Sequence, residues 1–366
     1  MKILLYFSGR LYEPKGTPIR VGNMIDQLQK GGFDVYYAGA NRPHDFKDDH
    51  YLPLRPPAAR ILDILKFIRK NRIKIFYIQT SAGLWLAPFA RVFTRAKIGV
   101  DYHSLRVEEE NAYHSYSLPS YYFRKWVELF LSYFIHFGTA VCRPLKEYYR
   151  AQVRNFFILP VGVDTKLFSP DIEPKKEVLD WKGDSILLGY AGNTKWYQGV
   201  GVILEALSRM EKKYPGKWKL LIISSSGAKD IENFIKKNNL SRAIHLLGQQ
   251  AHEDVPKFLS ASDILAIPRP SDTITEYAFP SKFPEYIALG KPVVTSRVSD
   301  IADYIEDGLS GMLIRPENTD DLCKALEKLK DRNLRESMGR RARETAEEIF
   351  DLSVLGEKLS GYLSKI

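Results

Sequence analysis

The segment AFPSKFPEYIALGKPVVTS, residues 278–296, places an ammonium group and a carboxylate in the first turn of a short predicted helix that ends at Gly290. Lys282 is unexpected there, because the helix dipole disfavours a cation at a helix N-terminus. Glu285 is unexpected because its neighbours are apolar. A bound anion would explain Lys282, and hydroxyl groups within reach would explain Glu285.

A ligand that carries a diphosphate and vicinal hydroxyls would account for both side chains. Ser281 is a favourable N-cap residue, and Lys282 with the free backbone N–H groups would bind the phosphates. Glu285 would accept the protons of two ribose hydroxyls. The alternative is that the local backbone satisfies Glu285 and that the segment binds nothing.

A second loop has a similar character. Gly16, Thr17 and Pro18 stand directly before a predicted helix and follow the predicted strand Ile3–Phe7. A glycine lets a backbone approach a ligand closely, and a helix N-terminus favours an anion. The alternative is an ordinary strand–helix turn, since the loop lacks the spacing of a GxGxxG fingerprint.

The elements that must position these residues alternate between strands and helices. In the first half, apolar runs predict strands at 3–7, 34–37, 73–78 and 98–102, and amphipathic patterns predict helices at 19–29 and 61–70. After a Pro-containing and charged linker at 155–177, strands are predicted at 185–191, 218–224, 243–248, 264–267 and 293–296. This alternation predicts two α/β domains, each with a doubly wound parallel sheet.

The charge is unevenly distributed. The chain of 366 residues has a net charge of +10, and all of this excess lies in Met1–Thr165. Such asymmetry indicates an anionic partner, such as a membrane surface or a phosphorylated acceptor. Nucleic acid is disfavoured, because the basic residues are spread through folded elements and match no recognised nucleic-acid motif.

Other classes are disfavoured by composition. Cys142 and Cys323 lie far apart and show no metal-ligand spacing, so we expect no metal site and no disulfide, which is typical of a reducing cytoplasm. No apolar run approaches the roughly 18 residues that cross a bilayer, and the first residues do not resemble a signal peptide.

Six segments, in order, resemble motifs of the retaining glycosyltransferases of family 4, which have the GT-B fold. They are GTPIR (16–20), ILPVGVDTKLFSP (158–170), YAGNTKWYQGVGVILEAL (190–207), AIHLLGQQAHEDVPKFLSASDILAIP (243–268), PSKFPEYIALGKPVV (280–294) and DYIEDGLSGMLIRPEN (303–318). The resemblance implies two Rossmann-like domains that face each other across a cleft. It places an acceptor domain at 1–165, joined by a helix at 350–366 that crosses back, and a donor domain at 166–349.

The resemblance also implies roles for single residues. Glu285 would bind the ribose of a nucleotide-sugar donor, and Gly16 with Thr17 would lie near the diphosphate and sugar. His103, in VDYHSLRVEEE (100–110), stands where the family places a histidine that contacts the sugar. Gly192, with the residue after it, belongs to the loop that would approach the donor.

The sequence departs from the family pattern at two places. Tyr277 stands where the family usually has a glutamate, and Glu276 precedes it by one position. Asn193 and Gln198 occupy the places of a usual basic pair. The family role of the glutamate is therefore assigned to Glu276 if the loop absorbs the one-residue shift.

Lys195 and Arg269 are the candidate cations that replace the basic pair, although each could be an ordinary surface charge. The catalytic candidates are thus His103, Lys195 and Glu276. With Lys282 and the helix N-termini, these cations would stabilise a departing nucleoside diphosphate. We find no suitably placed DxD motif, so no metal or other cofactor is expected. Retention of anomeric configuration follows from the resemblance alone.

Few features of the sequence indicate the identity of the acceptor. The segments 81–97 and 121–142 are rich in aromatic and basic residues, which is typical of a surface that lies on an anionic membrane, although both could be ordinary buried helices. We expect a glycan or lipid-linked acceptor at the inner face of the membrane. Two alternatives remain: a GT-B subunit that binds nucleotide without turnover, and a sugar-nucleotide epimerase or phosphorylase.

Overall fold

A computed structural model of the chain describes residues 1–11, 13, 16–44, 46–224 and 226–366. The chain divides into two compact units. The first consists of Met1–Val161, Tyr277–Phe279 and Leu352–Ile366, and the second of Gly162–Glu276 and Pro280–Asp351.

The first unit is built on a seven-stranded sheet in which every recorded pairing is parallel. Its strands are β1 (Lys2–Phe7), β2 (Asp34–Gly39), β3 (Tyr51–Pro53), β4 (Ile75–Gln79), β5 (Lys97–Tyr102), β6 (Phe137–Ala140) and β7 (Phe156–Ile158). They follow the order β3-β2-β1-β4-β5-β6-β7. The order reverses between β1 and β4, which is where parallel sheets of this kind bind ligands.

Within the part of the chain that the structure describes, six α-helices connect these strands. They are α1 (Gly16–Lys30), α2 (Pro57–Asn71), α3 (Ala87–Phe93), α4 (Arg106–His114), α5 (Leu118–Ser132) and α6 (Arg143–Tyr149). Each of the central strands β1, β4 and β5 is almost wholly buried, as expected for a parallel sheet with helices on both faces.

The second unit is built on a six-stranded parallel sheet. Its strands are β8 (Ile186–Ala191), β9 (Trp218–Ile223), β10 (Ile244–Leu247), β11 (Ile264–Ile267), β12 (Val293–Ser296) and β13 (Met312–Ile314). They follow the order β10-β9-β8-β11-β12-β13. The order reverses between β8 and β11, so the loops after these two strands meet at the carboxyl edge.

Helices again cover the second sheet. They are α7 (Lys176–Lys182), α8 (Val200–Lys213), α9 (Ala228–Lys237), α10 (Val255–Leu259), α11 (Thr273–Glu276), α12 (Lys282–Ala288), α13 (Thr319–Lys328) and α14 (Arg332–Thr345), followed by a π-helical turn at Ala346–Phe350. The prediction of two α/β domains with doubly wound parallel sheets is confirmed. One detail is wrong: β7 lies inside the segment 155–177 that we interpreted as a linker, because the prolines that indicated a linker begin only at Pro160.

A last helix, α15 (Leu352–Leu363), belongs to the first unit and packs on α1. Leu355, Leu359 and Leu363 join the same buried cluster as Ile3. The two helices approach closely at Gly356, where a Cβ atom would lie 2.7 Å from Gln27 Oε1. A larger residue at this position would push the helices apart. No helix among the described residues has the length and apolar character needed to cross a bilayer.

Helix α12 is fixed from behind by α14. A Cβ atom on Gly339 would lie 2.0 Å from the carbonyl oxygen of Gly290, so the two backbones are almost in contact. Gly290 itself has a φ of +65°, which favours glycine at the end of a helix. The Arg343 guanidinium donates hydrogen bonds to the carbonyl oxygens of Ala288 and Phe168. These contacts hold the helix that carries Lys282 and Glu285.

Candidate functional site

The carboxyl edge of the second sheet brings several predicted residues together. Gly192 follows β8 with a φ of +136°, and a Cβ atom there would lie 2.9 Å from the Lys282 Nζ atom. Arg269 follows β11 and is close enough to Lys282 to lower its pKa. The positive φ of Gly192 favours glycine at this position, where the backbone passes the ammonium group.

The Lys282 side chain is buried but retains hydrogen-bond partners. Its ammonium donates to the Gln198 Oε1 atom at 2.8 Å and to the Tyr190 hydroxyl at 3.0 Å, and it lies 4.4 Å from the centre of the Tyr190 ring. Burial, with the positive charge of Arg269, lowers the pKa of Lys282 to about 7, although Glu285 opposes the change. The lysine is thus a cation that lacks a strong counter-charge and would gain one from a bound phosphate.

Glu285 lies one turn further along α12, and its side chain is 24% exposed. Burial raises the pKa of Glu285 to about 7, and Lys282 only partly offsets this. The His252 Nε2 atom lies 4.0 Å from Glu285 Oε1, and burial lowers the pKa of His252. The carboxylate is therefore weakly compensated and open enough to accept hydroxyl donors.

Ser281 occupies the predicted N-cap position of α12, but its hydroxyl makes no capping hydrogen bond. The physical reason is that its backbone is already helical, with φ −58° and ψ −28°, whereas a capping side chain needs an extended backbone. The capping prediction is wrong. The exposed hydroxyl does not bond to the helix it precedes.

The loop after β8 contains Asn193 and Lys195. The Asn193 carbonyl accepts a hydrogen bond from the Tyr190 hydroxyl, and its side-chain oxygen accepts one from the Lys195 backbone N–H at 3.2 Å. Thr194 ties the loop to Ser226 through hydrogen bonds of 2.6 and 3.1 Å. The Lys195 side chain is exposed. Asn193 thus shapes the loop that presents Lys195.

Arg269 is 5% exposed, and its carbonyl accepts a hydrogen bond from the Ser296 hydroxyl. It is a buried residue at the edge of the sheet, which rules out the alternative of an ordinary surface charge. Together with Lys282 it places two basic side chains at the carboxyl edge of this sheet.

Glu276 ends α11, and both of its carboxylate oxygens have partners. One accepts from the Ser271 hydroxyl at 2.5 Å and the other from the Ser299 backbone N–H at 2.8 Å. Ser299 has a φ of +57°, so the carboxylate holds a strained turn in place. The next residue, Tyr277, belongs to the first unit, where its ring packs edge-on against Tyr148 at 5.6 Å.

In the first unit, His103 follows β5 at the carboxyl edge. Its Nε2 atom lies 2.6 Å from Asp101 Oδ2, and its Nδ1 atom lies 3.5 Å from the Thr17 hydroxyl. Gly16 begins α1 and is exposed. The predicted residues Gly16, Thr17 and His103 therefore share one edge of the first sheet, and an anionic partner fixes the orientation of the imidazole.

Asp101 is the centre of a buried network that the sequence reasoning missed. It accepts hydrogen bonds from the Arg20 Nε and Nη2 atoms at 2.8 and 3.2 Å and from the Thr139 hydroxyl. Burial opposes ionisation of this carboxyl, but Arg20 and His103 hold the pKa of Asp101 well below its usual range. Arg20 also donates to the carbonyl oxygens of Leu159 and Pro160.

A sequence signal for part of this network exists. Asp101 lies near the end of the apolar strand β5 and His103 follows two residues later, so the alternation of a strand places their side chains on one face. Arg20 stands 81 residues away from Asp101 and carries no such signal. Gln198 was seen only as a departure from the family pattern, whereas the structure makes it a partner of Lys282.

Comparison with known proteins agrees with the motifs. Residues 171–345 match the model of the family described as glycosyl transferases group 1. An uncharacterized glycosyltransferase of Methanocaldococcus jannaschii is 30% identical over 183 residues, which cover 50% of this chain and 49% of that protein. D-inositol 3-phosphate glycosyltransferase of Paenarthrobacter aurescens is 29% identical over 209 residues, covering 56% and 50%. The chain spans about half the length of the curated relatives it matches.

Solved structures extend the likeness to the whole chain. Anabaena HepE in complex with UDP has a TM-score of 0.79 at 15% identity, with 100% of both chains covered. Sucrose-phosphate synthase from Thermosynechococcus elongatus has a TM-score of 0.76 at 18% identity, with 100% of this chain and 98% of that one covered. At these identities the likeness shows the fold, and the predicted GT-B fold class is confirmed.

Proposed function

We propose that this chain, whose residues 171–345 match the model of the glycosyl transferases group 1, transfers a sugar from a nucleoside diphosphate sugar to an acceptor. One observation supports this proposal most strongly. A buried, weakly compensated lysine and a carboxylate about one turn later lie on α12, and the backbone at Gly192 passes close to the lysine ammonium. This pair fits a diphosphate and a ribose better than it fits a structural role.

The donor residues follow from their chemistry. Lys282 and Arg269 would neutralise the diphosphate, with Lys195 and the backbone at Gly192 as further contacts. Glu285 would accept the protons of the two ribose hydroxyls. Ser281 and Asn193 present polar groups at the same edge. HepE was crystallised with UDP and with UDP-glucose, which makes a uridine nucleotide the first candidate.

The proposed transfer retains the anomeric configuration and needs no metal. The bond between the sugar C1 atom and the β-phosphate oxygen breaks, and its electron pair stays on the diphosphate. The acceptor hydroxyl oxygen bonds to C1 on the same face, and its proton passes to the departing phosphate oxygen. Cations stabilise the developing negative charge. Addition of a chelator is expected to leave the rate unchanged.

Two other candidates have narrower roles. For His103, held by Asp101, we propose contact with a hydroxyl of the transferred sugar, with Thr17 and Gly16 nearby. Glu276 acts by holding the turn at Ser299, because both of its oxygens already accept hydrogen bonds. Its assignment is therefore that of a positioning residue.

For the acceptor we propose a lipid-linked or otherwise anionic glycan, reached at the inner face of a membrane. Helix α5 supports this, since its outward face exposes large apolar side chains: Leu118, Tyr122, Phe123, Trp126 and Phe130. The alternative that this helix is simply buried is wrong for that face. The rings of Phe123, Trp126 and Phe130 stack in sequence along it.

Helix α3, which contacts α5, adds exposed Val92 and Phe93 and the exposed cation Arg91. On α5 itself Arg124 is exposed, with its guanidinium 4.3 Å from the centre of the Tyr116 ring. Large apolar side chains that are exposed next to one another are typical of an interaction site. Aromatic and basic side chains together suit an anionic membrane surface.

The test is calorimetric titration of UDP, GDP, ADP and CMP into the wild-type chain and into Glu285→Ala, with Glu253→Ala as a control that removes an exposed carboxylate. We expect one diphosphate to bind, about tenfold or more weakly in Glu285→Ala and unchanged in Glu253→Ala. Absence of binding by every nucleotide would overturn the proposal. Binding without turnover of the matching nucleotide sugar would favour the alternative of a GT-B subunit that binds nucleotide but does not catalyse transfer.

A further inference from the structure

A cavity of about 590 Å³ lies at the opposite, amino edge of the second sheet. It is lined where β8, β11 and β12 begin, by residues that include Ile186, Asp263 and Pro292. The donor residues Gly192 and Arg269 follow the other ends of β8 and β11. A strand of six residues spans roughly 20 Å, so this cavity is separate from the site on α12.

The lining of this cavity is strongly basic. Six cations contribute to it, namely Lys182, Lys217, Lys291, Lys330, Arg332 and Arg335, against three carboxylates, namely Asp184, Asp263 and Glu336. By contrast, residues 166–366 as a whole carry equal numbers of basic and acidic side chains. The cations are therefore concentrated at one place in a region that is neutral overall.

Two of the three carboxylates are already paired. Asp263 forms an ion pair with Lys182 at 2.7 Å and also accepts a hydrogen bond from the Leu187 backbone N–H at 2.8 Å. Glu336 forms an ion pair with Arg332 at 2.8 Å. The remaining cations of the cavity thus lack an equal number of protein counter-charges.

Helix C-termini explain only part of this arrangement, since cations commonly bind the last carbonyls of helices. Lys182 donates to the Ala261 carbonyl at 3.1 Å, and Arg335 donates to the Leu329 carbonyl at 2.7 Å. Lys330 lies 4.2 Å from the centre of the Tyr214 ring. These contacts hold Lys182, Arg335 and Lys330 in place, but none of them involves the Lys291 ammonium.

Lys291 is a further cation in the lining of this cavity. It is half-buried between Gly290 and β12, and no hydrogen bond or ion pair of its ammonium is found among the described residues. Burial lowers the pKa of Lys291, Asp263 opposes this, and the neighbouring Lys182 and Arg335 lower it further. An ammonium kept beside other cations without a partner gains most from an anion in the same cavity.

We propose that the cavity at the amino edge of the second sheet binds an anion that carries phosphate groups, in addition to the donor nucleotide. Its volume lies within the range of small-molecule sites. Several cations around one concave surface suit a ligand with two or more negative charges. The phosphate can belong to a free phosphorylated compound or to a lipid headgroup, and the experiment separates these sources.

The first measurement is calorimetric titration of inorganic pyrophosphate into the full chain at low ionic strength, in the presence of excess UDP so that the donor edge is occupied. The variant is the double substitution Lys291→Gln and Lys330→Gln. The control, Lys229→Gln with Lys236→Gln, removes the same charge from the exposed face of α9 in the same unit. Thermal melts of all three proteins check that each is folded.

We expect pyrophosphate to bind the wild type and the control, and to bind the Lys291/Lys330 variant about tenfold or more weakly. The second measurement is co-sedimentation with phosphatidylglycerol and phosphatidylcholine vesicles. If pyrophosphate does not bind but the variant alone loses affinity for phosphatidylglycerol, the ligand is a lipid headgroup. Equal losses in variant and control, or no binding of either probe, would overturn the proposal.

Discussion

In the second unit, the Lys282 ammonium donates a hydrogen bond of 2.8 Å to the amide oxygen of Gln198. Gln198 occupies a place where the family resemblance implies a basic residue. A lysine or arginine there would set a second cation against a buried ammonium, whereas an amide oxygen stabilises it. The departure at Gln198 therefore fits the lysine of α12 and is compatible with a working donor site.

Changing this amide to a carboxylate is expected to weaken nucleotide binding. In Gln198→Glu the new charge would neutralise Lys282 and repel a diphosphate, so UDP should bind about tenfold or more weakly. The same change should raise the melting temperature, because the buried ammonium gains a counter-charge. Gln249→Glu, an exposed substitution in the same unit, is the control. Equal weakening in both variants would contradict the local explanation.

Nucleotide affinity is expected to depend on pH with a maximum near neutrality. Binding needs Lys282 protonated and Glu285 ionised, and the pKa of each group is about 7. Affinity should fall above this value as the lysine loses its proton and below it as the glutamate gains one. Because Lys282 and Glu285 interact, the rising and falling sides of the pH profile describe the pair and not either residue alone. Calorimetry of UDP between about pH 5.5 and 8.5 tests this, and a flat profile would contradict it.

Removing the Glu285 charge is expected to stabilise the fold while impairing binding. Burial raises the pKa of Glu285, so its ionisation destabilises the native state above the unfolded pKa, and fully above about 7. Allowing for a 24% exposed side chain, Glu285→Gln should raise the free energy of unfolding by about 1–2 kcal/mol at neutral pH. Urea titrations should show no gain below about pH 4. A destabilised variant at neutral pH would refute the prediction.

The Asp101 network is expected to be essential for the first unit. Asp101→Asn leaves the Arg20 guanidinium buried without its counter-charge. Such a change typically lowers the free energy of unfolding by about 3–5 kcal/mol. The wild-type contribution is present above the unfolded pKa of the aspartate, about 3.9, and is lost as the pH falls through the lower folded value. The control is Asp63→Asn, whose exposed partner Arg55 lies 3.6 Å away, with an expected cost of about 0–1 kcal/mol. If urea denaturation shows the same loss of unfolding free energy in Asp101→Asn and Asp63→Asn, the prediction is wrong.

The outward face of α5 is expected to bind anionic vesicles. Replacing Phe123 and Trp126 together by serine should reduce co-sedimentation with phosphatidylglycerol vesicles about tenfold, since both side chains are more than half exposed. Trp196→Ser, which changes an equally exposed tryptophan of the second unit, should have little effect. Failure of the wild type to bind these vesicles would remove the membrane from the proposed function.

The sequence predicts those features that depend on local spacing. Alternation of apolar runs indicated both parallel sheets, and the types of Lys282 and Glu285 indicated a polar site on α12. Features that depend on pairing across the chain were missed. Arg20 of α1 reaches Asp101 of β5 only in the folded unit, since the two residues are 81 positions apart. Strand β7 was hidden because a three-residue strand has almost no periodicity.

The exposure of one face of α5 could not be predicted from the sequence either. Its aromatic residues indicate a buried helix and a docking face equally well, and only packing decides between them. The basic cavity was missed for a related reason. Its six cations come from four separate stretches of the chain, at 182, 217, 291 and 330–335, so no single segment of the sequence shows the whole cluster.

The packing of α15 on α1 has a consequence for the order in which the chain folds during synthesis. The core of the first unit needs Leu355, Leu359 and Leu363, which leave the ribosome after every residue of the second unit has been made. The second unit, Gly162–Glu276 with Pro280–Asp351, has no such delay. The unit translated second is therefore expected to complete its core first. Until α15 has been made, helix α1 of the nascent first unit keeps an uncovered apolar face, and chaperone binding is most useful during this interval.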